Sequence, residues 1–420
     1  MSKPATSEVP FGMVVRKIAV VCPEASVSIF DRFLLESTLD LLRQAIAEHK
    51  KQVGELEVTV YTSQPICEIK TCSSFHLKYS KYYDTCSVFN EVWKKKDFKA
   101  LIHFKNYLIE KHNADIVLVP SGESGNLFKR STLYFLNDCF LQTLIKPNVV
   151  VYLGISKHIR FKFLFLLENM LLSLTSRKTH FLITTRDKDS FTLLNKSLDV
   201  GVYFGSDLLF NSSISRYIKM CPFNFGSIRQ KFLINLDKIP EQAIKSILDI
   251  LQIFQTMFCF YYLIVEEKSW RIYRLVADKL SISPLCTSVS SLLAKLREEP
   301  FIVITNRLHL TILSIVTYHH FIAISEKPAK LCKIYSLLRD SVLHENWLTI
   351  EDQNWIEQFK KCLNSIFSHD GNVSGFTACI CASLARSTVN RQVMDFVLDY
   401  LSTDGKVVKL TMPLQVTSKV

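Results

Sequence analysis

No hydrophobic stretch of the chain has both the length and the freedom from charge that a signal peptide or a membrane span requires. The first apolar run, residues 13–22, contains Arg16 and Lys17 and has only the length of a strand. The longest apolar stretches are interrupted by Glu168 and, between residues 250 and 265, by two glutamines. We therefore expect no membrane-spanning helix and a cytoplasmic location. Three Asn-x-Ser sequons leave the secretory pathway open.

Zinc-type pairing is also absent, although the chain has twelve cysteines. Cys67, Cys72 and Cys86 are too widely spaced for a CxxC unit, whereas Cys379 and Cys381 are too close together. Cysteines within apolar runs behave as small core residues. The pattern predicts no metal site, and it is typical of unpaired thiols in a reducing compartment.

The chain lacks the short motifs of several common enzyme classes. There is no GxxxxGK[ST], GxGxxG, HExxH or GxSxG, so the usual nucleotide, zinc-protease and hydrolase signatures are excluded. The net charge is +12, but the basic residues are scattered and form no basic tail. Such a charge suits an anionic substrate or serves solubility alone. We expect no nucleic-acid partner.

What the chain does contain is an alternation of short apolar strands and amphipathic helices, which predicts an α/β fold with mostly parallel, doubly wound sheets. Its 420 residues, 48% of them hydrophobic, are enough for two globular domains. We predict an N-terminal domain over residues 1–205, a linker region over 206–230, a C-terminal domain over 231–345 and a helical tail over 346–420. Residues 63–91 indicate an insertion or an excursion from the sheet.

Ten strands are predicted, six in the first half of the chain and four in the second. The first six cover residues 17–21, 58–62, 115–120, 148–153, 180–184 and 200–204. The other four cover residues 232–236, 258–265, 301–304 and 321–324.

Polar residues stand at the carboxyl ends of four predicted strands, where ligands bind in doubly wound folds. They lie at residues 121–126, 154–158, 185–187 and 306–309. In the first of these segments, Gly122 and Gly125 would let backbone N–H groups approach a ligand closely. An ordinary strand-to-helix turn explains the same glycines equally well.

Two arginines occupy positions that a helix N-terminus disfavours. Asp187 can cap a helix, but Arg186 immediately before it cannot, and Arg307 opens the helix after another strand. A cation at a helix N-terminus is unfavourable unless an anion neutralises it. The pair therefore predicts an anion site shared across the cleft between the domains. His309 beside Arg307 becomes a proton donor in this interpretation, and a structural residue in the alternative one.

Three segments together resemble one family. Residues 304–310, ITNRLHL, resemble the RLH signature of polysaccharide pyruvyl transferases. Residues 184–190, TTRDKDS, followed by Asp207, are similar to that family's R-D-x-x-S…D segment. Residues 114–122, ADIVLVPSG, resemble its strand-and-glycine element. The three segments occur in the family's order. A departure stands at residues 23–26, PEAS, where the family usually has a glycine-rich turn.

The resemblance implies two Rossmann-like domains in the type-B glycosyltransferase architecture. It implies transfer of the enolpyruvyl group of phosphoenolpyruvate to two hydroxyls of a terminal sugar as a pyruvate ketal, with release of phosphate. Arg186, Arg307 and His309 would contact phosphoenolpyruvate, the donor substrate. Leu308 and Asp187 are further binding candidates that follow from the same motifs.

Several alternatives stay open at this level. The base that takes the sugar hydroxyl proton could be Asp187, Glu123 or His158, and His158 is also a binding candidate. Phosphoenolpyruvate and a glycan acceptor are the expected partners, without a cofactor or metal. The runner-up is a sugar-nucleotide glycosyltransferase of the same fold, and a third interpretation is a non-catalytic descendant that binds glycans or a protein.

Overall fold

A computed structural model gives the fold of the chain. It describes residues 15–402 except residues 27, 50–54, 65–73, 83–84, 121–122, 125–148, 158–165, 167–168, 171–172, 175–178, 199, 211–230, 268, 327–344 and 369–372. Most of the predicted linker region therefore lies outside the described residues.

The first half of the chain forms an eight-stranded sheet. Its strands are β1 (Val15–Val21), β2 (Glu55–Thr62), β3 (His76–Lys81), β4 (Ile116–Pro120), β5 (Glu123–Ser124), β6 (Val149–Lys157), β7 (His180–Thr185) and β8 (Gly201–Phe204). They are parallel in the order β3-β2-β1-β4-β6-β7-β8, and the short β5 pairs with β6. The described helices of this half are α1 (Ile29–His49), α2 (Thr85–Lys95), α3 (Lys99–His112) and α4 (Lys188–Ser197).

The second half forms a six-stranded parallel sheet in the order β11-β10-β9-β12-β13-β14. Its strands are β9 (Lys231–Asn235), β10 (Cys259–Leu263), β11 (Ile282–Leu285), β12 (Phe301–Thr305), β13 (His320–Ser325) and β14 (Trp347–Thr349). The described helices that connect them are α5 (Glu241–Gln252), α6 (Ser269–Ala277), α7 (Val289–Glu298) and α8 (Leu308–Val316). This is the doubly wound order of dinucleotide-binding folds, so the predicted fold class is confirmed.

Central strands are buried on both faces because helices cover each sheet on both sides. Every residue of β4, β12 and β13 is buried. Such strands read as continuous apolar runs without polar alternation, which is why the sequence pattern predicts them so well.

The C-terminal segment, predicted as a helical tail, packs against both halves. Helix α9 (Trp355–Ser368) places Phe359 and Leu363 in the core of the second sheet. Helix α10 (Val373–Ser402) returns to the first half, where Val393 and Val397 share a core with α1 and with strands of both sheets. None of the described helices combines the length and the hydrophobicity that crossing a membrane requires.

Four strands differ from the sequence expectation, and one of them is the two-residue β5, which pairs with β6 within the predicted polar segment at residues 121–126. Residues 63–91 are not a plain insertion, because they contain β3, which pairs with β2 in parallel. Strand β11 contains Pro284 and exposes its two central residues. Strand β14 has only three residues and lies beyond residue 345. Each of β3, β11 and β14 is an edge strand, and an edge strand needs neither a continuous apolar run nor a full set of backbone donors.

Candidate active site

The polar residues of the candidate site lie where parallel strands end. Arg186 follows β7, Asp207 follows β8, Asp237 follows β9 and Arg307 follows β12. The carboxyl ends of the strands form the ligand-binding edge of a doubly wound sheet. Two clusters result, one built on each sheet, and His309, two residues after Arg307, contacts the first of them.

Arg186 is the centre of the first cluster and is 8% exposed. Its Nε donates a hydrogen bond to Oγ of Ser156, and its Nη1 donates to Oδ2 of Asp207, both at 2.7 Å. The same Nη1 lies 3.3 Å from Nε2 of His309, which belongs to the other half of the chain. The structure therefore brings Arg186 and His309 together, although 122 residues lie between them in sequence (309 − 186 − 1).

Asp187 has a structural role in addition to its predicted roles as a substrate contact and as a base, which stay predictions. It is buried and is the N-cap of α4, where its side chain accepts from the backbone N–H of Ser190 at 2.8 Å. It also accepts from the hydroxyls of Ser190, at 2.8 Å, and Ser156, at 2.7 Å. The Ser156 hydroxyl in turn accepts from Arg186. Asp187 thus caps a helix and orients the serine that holds Arg186.

Asp207 is held by the loop that leaves β8. One of its oxygens accepts from the backbone N–H of Leu209 at 3.1 Å, and the other accepts from Arg186. Helix α10 fixes this loop, because Asn390 donates to the carbonyl of Ser206 at 3.0 Å. Glycine is required at position 205, where an added Cβ would lie 2.5 Å from Oδ1 of Asn390. The C-terminal helix therefore supports the first cluster.

The charges in this cluster shift two pKa values. Burial alone would raise the pKa of Asp207, but the charge of Arg186, that of the His309 ring when it is protonated, and the hydrogen bonds outweigh it, and the pKa is lowered. Burial lowers the pKa of His309, and Arg186 lowers it further, whereas Asp207 and Asp31 oppose the shift. His309 is consequently neutral at pH 7. Since a guanidinium can only donate, Nε2 of His309 accepts from Arg186, and the ring proton is on Nδ1.

His309 is packed but has a vacant hydrogen-bonding position. Its ring centroid lies 5.6 Å from that of Phe30 at the start of α1, and its side chain is 14% exposed. Its Nε2 is 3.8 Å from Oδ2 of Asp207. The described part of the chain offers no hydrogen-bond partner to Nδ1. A ligand can therefore contact this nitrogen without displacing a protein group.

Arg307 is the centre of the second cluster. Its Nη2 donates to Oδ2 of Asp237 at 2.8 Å and to Oε1 of Glu266. Asp237 also accepts from the hydroxyls of Tyr262, at 2.8 Å, and Ser269, at 2.7 Å. A further hydrogen bond to Asp237, at 3.0 Å, comes from Nδ2 of Asn235. The Nε of Arg307 is buried without a partner.

These contacts correct the premise of a shared anion site. The position of Arg186 and Arg307 predicts that both need an external anion, but each already has a carboxylate from its own half of the chain. The contact between the halves is made instead by Arg186 and His309. Any anionic ligand must use the donors that remain, which include Nε of Arg307.

The other predicted contacts fall in two groups. Leu308 is partly buried and packs against the main hydrophobic core, and its role as a substrate contact stays a prediction. Gly122, Gly125 and His158 lie outside the described residues. Glu123 is described only as backbone, in β5.

The sequence analysis includes Asp207 in a family-like segment and Ser156 in a polar strand end, but it misses Asp237 and Glu266. One signal could have found these two, since each follows the carboxyl end of a predicted apolar strand. Within the described residues, no group of three or more His, Cys, Asp or Glu side chains is arranged to hold a metal ion.

Comparison with solved structures gives the architecture. A UDP-N-acetylglucosamine 2-epimerase from Rickettsia bellii aligns over 94% of this chain and 99% of its own, with a TM-score of 0.55 and 11% identity. The UDP-GlcNAc 2-epimerase from Neisseria meningitidis aligns over 91% and 99%, with a TM-score of 0.54 and 11% identity. A glycosyltransferase from Rickettsia africae ESF-5 aligns over 93% and 98%, with a TM-score of 0.52 and 10% identity. These likenesses show the type-B glycosyltransferase fold.

Comparison by sequence gives the family. No curated protein matches the chain. The family model described as polysaccharide pyruvyl transferase matches residues 49–328, about two thirds of the chain. The matched range contains Arg186, Asp207, Arg307 and His309, and the family and fold together indicate a transferase. The chain belongs to the polysaccharide pyruvyl transferase family.

Proposed function

We propose that the protein transfers the enolpyruvyl part of phosphoenolpyruvate to two hydroxyls of a terminal sugar of a glycan. The observation that carries the proposal is the contact between Arg186 and His309, which joins a cation and a titratable group from the two halves at the carboxyl ends of both sheets. Family membership supports the reaction class. No additional cofactor is required by this chemistry.

The donor substrate carries a phosphate and a carboxylate, and guanidinium groups bind such anions well. Arg186 uses Nε and Nη1 for Ser156, Asp207 and His309, and the described residues leave its Nη2 without a hydrogen bond. Arg307 contributes its unpaired Nε after a small rearrangement. The carboxylates hold both arginines in position before the donor arrives.

The reaction balances with one proton transfer to carbon. A sugar hydroxyl oxygen bonds to the central carbon of the donor, and the methylene carbon gains a proton and becomes a methyl group. The carbon–oxygen bond to phosphate then breaks, and the second sugar hydroxyl closes the ketal. The proton of one hydroxyl replaces that given to carbon, and the proton of the other leaves with phosphate.

His309 supplies the proton in this scheme. At rest it is neutral, because burial and Arg186 lower its pKa. A bound phosphate or carboxylate beside the ring raises that pKa, so the donor substrate itself charges the general acid. The added proton on Nε2 then faces Asp207, and the hydrogen bond from Arg186 to this nitrogen is given up. No contact of the described residues favours one base for the sugar hydroxyl, and Asp187, Glu123 and His158 stay proposals for that role.

The test is phosphate release from phosphoenolpyruvate in the presence of glycans with different terminal sugars, β-galactosides among them. We expect release that depends on one acceptor and is lost in Arg186→Met and His309→Asn. Arg271→Met is the matched control, because Arg271 is 81% exposed and pairs with Glu241 on the surface. Acceptor-independent release, or equal rates in the three variants, would contradict the proposal.

One observation favours a second candidate, a non-catalytic descendant that binds a glycan or a protein. Each site arginine is already paired with a carboxylate. Thermal shift separates the alternatives: stabilisation by phosphoenolpyruvate supports pyruvyl transfer, and stabilisation by nucleotide sugars alone supports a sugar-nucleotide glycosyltransferase. Stabilisation by a glycan without either donor supports the non-catalytic descendant.

A further inference from the structure

Helices α2 and α3 meet at a corner that exposes apolar and basic side chains together. We call it the basic–apolar corner. Its exposed apolar members are Trp93, Phe98, Leu101, Ile102 and Ile109. Its exposed basic members are Lys94, Lys95, Lys96, Lys99 and Lys105. Neither set takes part in the candidate active site.

The apolar side chains of α3 lie on one helical face, because they recur at helical spacing from residue 98 to residue 109. Phe98 is 63% exposed and Ile102 is 61% exposed, so they do not contribute to the core. Trp93 on α2 is 67% exposed, and the ammonium of Lys96 lies 5.7 Å from its ring centroid. The surface therefore presents aromatic and aliphatic groups next to ammonium groups.

The backbone of the corner is shaped to present these groups. Lys96 has a φ of 57°, a left-handed conformation that glycine adopts with less strain. The N–H of Asp97 donates to the carbonyl of Glu91 at 3.2 Å, which closes the turn at the end of α2. A lysine thus stands at the tip, where glycine is the commonest residue.

Charge at the corner is predominantly positive. Of the acidic residues nearby, Glu110 is 3.6 Å from Lys78 on the edge strand β3, which offsets its charge. The carboxylate of Asp97 accepts from the backbone N–H of Lys99 at 3.1 Å. The exposed lysines outnumber the remaining carboxylates.

We propose that the basic–apolar corner docks on the surface of an anionic lipid bilayer. A site that binds at the membrane–water interface combines exposed tryptophan and phenylalanine, an aliphatic helix face and flanking lysines. Nucleic acid binds through its phosphates, which an aliphatic helix face does not contact, and the core of a protein interface is depleted of lysine. Both facts favour a lipid surface. This inference is independent of the proposed chemistry, because it uses none of the active-site residues.

Sedimentation with vesicles tests the proposal. Vesicles of phosphatidylcholine with about 30% phosphatidylserine should bind the full chain, and vesicles of phosphatidylcholine alone should bind it far less. A lysine near such a surface strengthens partitioning about fivefold, so Lys94→Gln, Lys95→Gln and Lys96→Gln together should weaken it on the order of 100-fold at low salt. Neutralising three exposed lysines elsewhere, in Lys196→Gln, Lys245→Gln and Lys361→Gln, should weaken it much less.

A second pair of variants tests the apolar part. Phe98→Ser with Ile102→Ser should abolish binding while melting and circular dichroism stay normal, because both side chains are exposed. Ile253→Ser with Met257→Ser is the matched control, since these residues are 71% and 53% exposed in the other half. Insertion should also shift tryptophan fluorescence to the blue, and Trp93→Phe should remove most of that shift while retaining binding.

Several results would overturn the proposal. One is equal binding by the corner variants and their matched controls. A second is the absence of binding to both vesicle types, and a third is binding to RNA or heparin without binding to vesicles. A fourth is a dimer in solution that becomes a monomer when Phe98→Ser and Ile102→Ser are introduced.

Discussion

The two arginine clusters occupy equivalent positions, each at the carboxyl end of a strand before a helix, yet they are built differently. Arg186 is held by Ser156 and Asp207 and extends across to His309 in the other half. Arg307 is held by Asp237 and Glu266, which follow strands of its own sheet. One arginine therefore links the halves, and the other fixes the edge of a single sheet.

The difference also concerns what each carboxylate retains when its arginine is removed. The described partners of Asp207 besides Arg186 are the N–H of Leu209 and, at longer range, His309. Asp237 keeps three side-chain donors, from Tyr262, Ser269 and Asn235. We conclude that equal positions in the sequence do not give equal energetic roles, and the following experiments test that contrast.

Arg186→Met should have the largest effect. It leaves Asp207 buried with too few donors, and removing one partner of a buried ion pair typically costs about 3–5 kcal/mol of the free energy of unfolding. Urea unfolding measures the loss. The double variant Arg186→Met, Asp207→Leu should recover much of the stability but no activity, and no recovery would contradict a simple buried pair.

His309→Asn should lower turnover by about 100- to 10,000-fold, the usual contribution of a general acid. Phosphoenolpyruvate affinity should fall much less, because Arg186 stays in place. Steady-state kinetics and donor binding by calorimetry give the two numbers. Near-normal turnover in a folded variant would assign His309 a structural role.

Arg307→Met should destabilise less than Arg186→Met, by about 1–3 kcal/mol, because Asp237 retains its other donors. Urea unfolding under the same conditions gives the comparison. If pyruvyl transfer is the reaction, donor affinity and turnover should both fall. Equal destabilisation by the two variants would remove the energetic contrast between the clusters.

Acidification should destabilise the second half through two buried histidines. Burial lowers the pKa of both His319 and His320 to about 4. His319 accepts from the N–H of Phe301 and bonds to the carbonyl of Leu296, an arrangement that fits only the neutral ring. The ordinary pKa of histidine is about 6.5, so below that pH the unfolded chain binds more protons than the native one. The free energy of unfolding should therefore fall as the pH drops from about 6.5 towards 4.

The expected loss is about 1 kcal/mol for each of the two histidines between pH 7.5 and 5.5, measured by urea unfolding at each pH. His320→Gln should reduce the pH dependence by roughly half of this total. An unchanged pH dependence in His320→Gln would show that His320 is not neutral in the native state.

The sequence predicts the buried parts of the fold better than its edges. Strands such as β4 and β12 read as apolar runs because both of their faces are covered. Strand β3 alternates exposed and half-buried positions, and β11 contains a proline, so neither gives a strong signal. Their places in the sheets follow from pairing with β2 and β10, which no local pattern contains.

Prediction of the site from sequence has the same limit as prediction of the edge strands. A local pattern is enough to find Arg186, Arg307 and His309, because their positions at helix starts are unusual. A local pattern cannot predict which carboxylates pair with the arginines, because the order of strands in the sheets brings Asp207 and Asp237 to them. The assumption that both arginines lack an anion was wrong for this reason.

Calorimetry of phosphoenolpyruvate binding in two buffers of different ionisation enthalpy tests most directly whether the donor charges His309. A site in which the donor anion charges His309 must take up a proton near pH 7, because the pKa of the free histidine is lowered by burial and by Arg186. We expect binding with proton uptake in the native protein, and binding with little uptake in His309→Asn. The absence of binding, or the same uptake in both proteins, would contradict the account.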